Sequence, residues 1–301
     1  LRSVQKKEKV IIVGGGTAGL VIANSIQNHF NVTVIERSKY KRYPVWYRVP
    51  LLIGLLFKSK KSKYVSIRES VLSNGRVIPF FESCLLGGAS VMNGCVHMLG
   101  NRVKWQSILR QFDTNYDDLL TSYHHLYELG SKDKNKISLR ESYQGEIGAA
   151  FVSALNNKGV PCGDMNYSDG ECCGPVLNTV RKYFRTSVLT LIKKIKFKLI
   201  LDENAESLLL DGQGNVIGVK TDSRSIYSDF VILSGGVVGT CGFLLKEGFK
   251  NNKASNFLNN LSIGKDIRDH TNLRVNVLTN KNINSLNEIS DSFFKKIQLV
   301  F

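Results

Sequence analysis

One stretch near the N-terminus constrains this chain more than any other. Val10-Ile11-Ile12-Val13 runs straight into Gly14-Gly15-Gly16-Thr17-Ala18-Gly19. Four consecutive apolar, β-branched residues read as a strand buried on both faces, the form that strands take inside a parallel sheet. Gly14, Gly16 and Gly19 then fall at G-x-G-x-x-G spacing, and a helix is predicted to about Gln27, with Ala18, Ile22 and Ile26 stacked. A second short strand, Val32 to Ile35, ends at Glu36. This is the order and spacing of a dinucleotide-binding β-α-β unit. Gly14 permits the tight turn, Gly16 lets a pyrophosphate approach the backbone, and Gly19 lets helix and strand pack closely. Thr17 and Ala18 begin a helix whose unpaired N–H groups and positive end favour phosphate. Glu36 is placed to accept hydrogen bonds from ribose hydroxyls, and its charge disfavours a 2′-phosphate.

FAD and NAD both fit that fingerprint. A late segment, YSDFVILSGGVVGT from Tyr227 to Thr240, favours FAD: a hydrophobic strand ends in Gly235-Gly236 and a helix is predicted through Leu245. In flavoproteins of the glutathione-reductase type, a late strand returns to the first sheet with a short glycine turn beside the dinucleotide. The strand pair Ala205–Leu210 and Val216–Thr221, turning at Asp211 to Asn215, suits that topology. Further strands are predicted at Phe197 to Leu201 and Phe230 to Leu233. Helices are predicted at Tyr116 to Leu129 (capped by Asn115), Glu146 to Lys158 and Arg185 to Ile192. From Arg37 to Lys63 a basic, aromatic excursion leaves the sheet, and Ser73 to Arg76 signals a turn.

Composition excludes more than it assigns. Apolar residues make up 43% of the 301, charged residues 22%, and there are only five prolines, which excludes disorder, collagen and coiled coil for the whole chain. A net charge of +16 comes mostly from scattered lysines, and without an RNA- or DNA-binding motif it supports no nucleic-acid partner. Six cysteines are too few for a disulfide scaffold. With no C-x-x-C pair and no histidine near Cys162, Cys172 or Cys173, they predict reduced thiols and no metal site. The chain shows no signal peptide and no apolar run of the roughly twenty residues that cross a bilayer, so a cytoplasmic location is the default expectation.

The most specific string is Leu85 to Asn101, LLGGASVMNGCVHMLGN, with Trp105 after it. Together with the first glycine segment it resembles the glucose–methanol–choline (GMC) oxidoreductases, over the N-terminal half to two thirds of a family member. Weaker echoes are Gly159-x-Pro161 with Asp164 and Asn166, Arg185-Thr186-Ser187 with Leu189, the late Ser234-Gly235-Gly236 turn, and Asp269-His270. The resemblance implies an α/β fold: an FAD-binding doubly wound sheet of the glutathione-reductase type, with the start of an incomplete substrate domain. The expected division is 1–158 with 193–270 for FAD, and 159–192 with 271–301 for the substrate portion. Gly87 and Gly88 would let backbone pass the pyrophosphate and ribityl chain, and Ser90 would offer a hydroxyl there. Asn93 and Gly94 would lie against the isoalloxazine ring, while Ala205 and Gly235 would complete the cofactor-binding set. Two departures stand out: Arg37-Ser38 follows Glu36 in place of small residues, and Pro79 to Cys84 replaces the basic residues that normally precede the long motif.

The family reaction is oxidation of an alcohol, which needs a base near neutral pKa while hydride leaves for the flavin. None of His29, His97, His124, His125 and His270 matches such a base, and the family's catalytic histidine segment has no counterpart here. The expectation is a truncated GMC-type chain that binds FAD but is inactive alone, with no catalytic residue of its own and a complementary C-terminal chain as its partner. The alternative is a non-enzymatic remnant or interaction protein that no longer binds FAD.

Overall fold

The computed structural model describes residues 7–41, 44–53, 63–72, 74–130, 132–142, 145–165, 172–192, 195–250 and 263–264. In chain order the first elements are β1 (Lys9–Val13), α1 (Thr17–Ile26), β2 (Asn31–Glu36), β3 (Val65–Val71), β4 (Val77–Ser83) and β5 (Val96–His97). Then come α2 (Arg102–Leu109), α3 (Tyr116–Leu126), β6 (Tyr127–Leu129), β7 (Ile137–Glu141), α4 (Glu146–Asn156), β8 (Leu177–Asn178), β9 (Val180–Arg181) and β10 (Phe184–Arg185). The last are β11 (Lys198–Leu201), β12 (Ala205–Leu210), β13 (Val216–Thr221), β14 (Ser225–Tyr227), β15 (Phe230–Leu233) and α5 (Gly236–Lys250). The described residues fall into two compact units. The first lies within Leu1–Tyr43, Lys60–Val91 and Ile192–Leu273, and the second within Pro44–Ser59, Met92–Leu191 and Arg274–Phe301.

The first unit is built on a four-stranded sheet of order β11-β2-β1-β15. All its pairings are parallel, with Ile12 opposite Val34 on one side and Ile232 on the other. Alternation along β1 explains why an unbroken apolar run is needed there. Ile12 faces α1, where Leu20 and Ala23 are fully buried. Ile11 and Val13 face the opposite way, into a cluster with Ile35, Val219, Leu208 and Ile226. Val219, Leu208 and Ile226 belong to a second, antiparallel sheet of order β12-β13-β14. Its tight turn is held by the Asp211 carboxylate, which accepts from the N–H groups of Gln213 (2.8 Å) and Asn215 (2.9 Å). β3 and β4 form a separate antiparallel hairpin. Its turn closes through Leu72 N–H to the Arg76 carbonyl at 2.9 Å, where Ser73 to Arg76 signals one.

The second unit holds a four-stranded sheet of order β5-β8-β7-β6. Leu99, Leu109, Tyr116, Tyr123, Leu139 and Leu177 make its core, with Trp105 against it. Asn115 caps α3 as its sequence suggests: the side chain accepts from Asp117 and Asp118 N–H, and Asp118 answers with a full capping box.

Two predicted helices differ from what is observed. The helix over Tyr116 to Leu129 stops at Leu126, because Tyr127–Leu129 pairs in parallel with Ile137–Leu139 and sheet hydrogen bonds replace the last helical turn. In place of a helix over Arg185 to Ile192, Arg185 belongs to β10, paired antiparallel with β9, and only a single 3-10 turn follows at Val188–Thr190. Thr186, Ser187 and Val188 there are β-branched or compete for backbone partners, and the Ser187 side chain accepts from Leu189 N–H. The hairpin β3–β4 was legible only at its turn. The expectations for Asn166, Asp269-His270 and residues 271–301 fall outside the described residues.

The capping box at α3 gives a direct test. Asn115→Ala is expected to destabilise the chain by about 1 kcal/mol, read as a lowered urea midpoint with an unchanged denaturant slope.

Candidate functional site

Each feature of the first β-α-β unit can be followed at the atomic level. Gly14 N–H donates to the Ile35 carbonyl at 2.8 Å, which brings the tip of β1 to the end of β2. At Gly19 an added Cβ would lie 2.0 Å from the Gly14 carbonyl oxygen and 3.2 Å from Ile12 Cγ2, so helix and strand approach too closely for any side chain. Gly16 is the N-cap of α1, no side chain caps that end, and no acidic residue sits in the first turn. Its leading N–H groups and its positive end are therefore open to an anion. Glu36 is buried. One carboxylate oxygen accepts from Gly15 N–H at 2.7 Å and the other from Ser38 N–H at 2.8 Å. Each oxygen keeps a second lone pair for a hydroxyl donor.

The second glycine segment folds directly onto the first. Gly87 N–H donates to the Gly15 carbonyl at 2.8 Å. Gly88 has φ +57°, and a Cβ there would stand 2.9 Å from Gly16 Cα. A third turn arrives at the same place: Ser234 N–H donates to the Val13 carbonyl at 2.8 Å, and its hydroxyl lies 3.0 Å from the Val13 and Gly14 carbonyls.

These turns border a cavity of 860 Å³, within the size range of small-molecule and cofactor sites. Of the residues singled out from sequence, Gly14, Gly16, Thr17, Ala18, Glu36, Gly88, Ala205 and Gly235 line it. The first residues of α5, Gly236 to Val238, line it too, so two helix N-termini meet one space. Gly19 and Gly87 are absent from the lining and serve packing and backbone pairing. The Ser90 hydroxyl donates to the Gly87 carbonyl at 2.7 Å. Asn93 and Gly94 belong to the second unit. There the Asn93 amide oxygen accepts from the buried Arg185 guanidinium and from Cys95 N–H, which leaves the amide NH₂ as the group to be offered elsewhere.

Sequence reasoning missed one wall. Arg37, Arg68, Phe80, Phe81, Glu82 and Ser83 also line the cavity, as does Lys246 of α5. Glu82 pairs with Arg68 at 2.7 Å and with Arg37 at 3.5 Å, which ties the β3–β4 hairpin to the residue after Glu36. The segment that departs from the family pattern, Pro79 to Cys84, is therefore part of the wall. At the cavity's other side, burial pushes the Glu203 carboxyl up, but Arg224 and the Thr221 hydroxyl outweigh that and hold it below the usual range.

No histidine lines the cavity among the described residues. His29 sits in the α1–β2 turn, and His124 and His125 are on the last turn of α3. His97 is hydrogen-bonded to the Tyr123 hydroxyl, and its ring stands 4.5 Å from that of Tyr127, centroid to centroid. Burial holds its imidazole below the ordinary value. Among the described residues no cluster of acidic, histidine or cysteine side chains is arranged for a metal, and no helix is long and apolar enough to cross a membrane.

Residues 8–272 match the family model for GMC oxidoreductase. This chain belongs to the GMC oxidoreductase family. The family resemblance extends to pyranose dehydrogenase from Agaricus campestris, 25% identical over 318 aligned positions that cover 86% of this chain and 51% of the relative. Among solved structures, pyridoxine 4-oxidase from Mesorbium loti superposes with a TM-score of 0.66 at 19% identity, covering 80% of this chain and 52% of that one. A formate oxidase from Aspergillus oryzae RIB40, solved to follow FAD modification, gives 0.65 at 19% identity, covering 81% and 48%. This GMC chain thus spans about half the length of the relatives it matches.

Two measurements check this geometry. Gly75 also has positive φ, but a Cβ there meets nothing within 4 Å. Gly75→Ala is expected to cost about 1 kcal/mol, the left-handed penalty alone, and Gly88→Ala at least about 2–3 kcal/mol, because Gly16 must also move. His97, with its folded pKa depressed, contributes stability that is full above the ordinary imidazole value and is lost as pH falls through the lowered one. Between about pH 7 and about pH 5 the melting temperature should fall, and less steeply in His97→Phe.

Proposed function

We propose that the first unit binds FAD and that this chain, by itself, does not turn over an alcohol. The observation that carries the cofactor reading is the backbone contact of Gly88 with Gly16 at the uncapped start of α1. It forms a side-chain-free cradle of the kind a diphosphate requires, bordered by a second helix N-terminus at Gly236. In this reading the N–H groups of α1 and α5 hold the diphosphate, Glu36 accepts from the ribose hydroxyls, and Ala205 flanks the adenosine end. The Arg37–Glu82–Arg68 ion pairs hold the hairpin wall in place and shield this end from water. FAD, when bound, supplies a two-electron acceptor for oxidation of an alcohol to an aldehyde or ketone.

The described residues can bind and orient, but no histidine among them lines the cavity to accept the hydroxyl proton at neutral pH. The described histidines are away from the cavity lining, and of the four lining carboxylates Glu36, Glu82 and Glu203 are already engaged by backbone N–H groups, arginine or a hydroxyl. In this reading the base is supplied from outside these 301 residues, with a complementary polypeptide as its proposed carrier. The names of the relatives, a pyranose dehydrogenase and a pyridoxine oxidase, support a hydroxyl-bearing small molecule as the substrate class. As a functional division we propose 1–158 and 193–270 for the cofactor against 159–192 and 271–301 for the substrate, which differs from the compact units in that 44–59 and 92–158 fall in the second.

Purified chain is expected to carry FAD near one per polypeptide, seen in the visible spectrum after removal of free flavin. Gly16→Val should lose it while keeping far-UV circular dichroism. Anaerobic mixing with primary alcohols and sugars should leave the flavin oxidised. Absence of FAD from a folded chain favours the alternative of an interaction protein, whereas rapid bleaching by an alcohol defeats the inactivity claim.

A further inference from the structure

Three of the four cysteines in the second unit, Cys162, Cys172 and Cys173, gather in one place, away from any role in the site described above. Cys162 and Cys173 form a parallel β-bridge between two otherwise irregular segments. The bridge is fully made: Cys173 N–H donates to the Pro161 carbonyl at 2.9 Å, and Gly163 N–H donates to the Cys173 carbonyl at 3.0 Å. The segments are pressed together beyond it, since a Cβ on Gly174 would stand 1.8 Å from the Gly163 carbonyl oxygen.

Residues aligned across a parallel bridge sit about 4.8 Å apart and point their side chains to the same face. A disulfide needs Cα atoms roughly 4.4–6.8 Å apart and converging Cβ vectors, so the backbone already meets the requirement. Both thiols are reduced and half-buried, leaving a path for a small reagent. The Cys162 thiol donates to the Val160 carbonyl at 3.3 Å and the Val152 carbonyl at 3.4 Å, with Cys173 and Cys172 near enough to act on it electrostatically. Cys172 itself directs its sulfur toward the Cys173 carbonyl at 3.7 Å.

We propose that Cys162 and Cys173 are a thiol–disulfide exchange site whose reagent is a low-molecular-weight disulfide. One thiolate attacks a sulfur of the reagent, forming a mixed disulfide and expelling one small thiolate. The second thiolate attacks the protein sulfur of that mixed disulfide, forming the Cys162–Cys173 bond and expelling the other. The two protons lost by the cysteines go to the two released thiolates, and the reagent is reduced by the two electrons that the pair gives up. The product staples 161–163 to 172–174 with little backbone movement.

Reactivity has a built-in pH dependence. Local burial, with repulsion from Cys173 and Cys172, holds the Cys162 thiol above its ordinary value. Exchange should therefore accelerate as pH rises and more thiolate forms.

The test uses the full chain and oxidised glutathione as the probe, with reduced glutathione as the control. The expected result is loss of two titratable thiols. Protease cleavage after Glu171 should then yield fragments that stay joined until reduced, because that cut separates Cys162 from Cys172 and Cys173. Cys162→Ser and Cys173→Ser should each abolish the link, and Cys172→Ser should preserve it. A stable glutathione adduct without the internal bond, a link that depends on Cys172, or no change in thiol count would each overturn the proposal. Mapping of the unsubstituted chain decides between bond and adduct even if a serine variant fails to fold.

Discussion

Backbone meets backbone where Gly87 donates to Gly15 and Gly88 rests against Gly16, and the rest of the first unit is arranged around that contact. A side chain on Gly88 would force the two turns apart and fill the space between α1 and the segment beneath it. The same closeness makes the N–H groups of α1 reachable, because nothing but main chain surrounds them. Ser234 adds a third strand end to the junction through Val13 and Gly14. Polar main-chain groups from three distant stretches thus satisfy one another, and their remaining donors face one cavity.

The polar walls of that cavity show how charge is managed in the site proposed to hold a diphosphate. Four lining residues are carboxylates, yet each of those with resolved partners is engaged. Glu36 takes two backbone N–H groups, Glu82 takes two arginines, and Glu203 takes Arg224 and Thr221. Their negative charge is spent locally, and the two helix N-termini keep their positive ends uncompensated by acidic residues in the first turn.

Legibility in the sequence followed the range of the interactions involved. β1, the turn at Gly14, α1 and Glu36 could be read because they are consecutive and their physics is local. The Asn115 cap and the Asp211 turn could be read for the same reason. The long motif at Leu85 to Asn101 was informative through its length, and its glycines do reach the first turn. What escaped was set by partners far away in the chain. Tyr127 to Leu129 has helical periodicity and becomes strand only because Ile137 to Leu139 offers it hydrogen bonds. Arg68 and Glu82 become a cavity wall only when a hairpin, whose strands alternate poorly, pairs them. No local pattern encodes either outcome.

The pairing of β1 with β15 carries a consequence for how the protein is made. β15 follows β1 by more than two hundred residues, so the second edge of β1 is completed by Phe230 to Leu233 long after β1 itself is made. Until then Ile11 and Val13 lack their neighbours in β15 and in the antiparallel sheet behind it, both also made late. A nascent chain therefore carries an open, sticky strand edge while the residues between β1 and β15 are made, a state in which chaperone capture competes with misassociation. The sheet is finished from the outside in time and from the inside in space, and its central strand waits longest for closure.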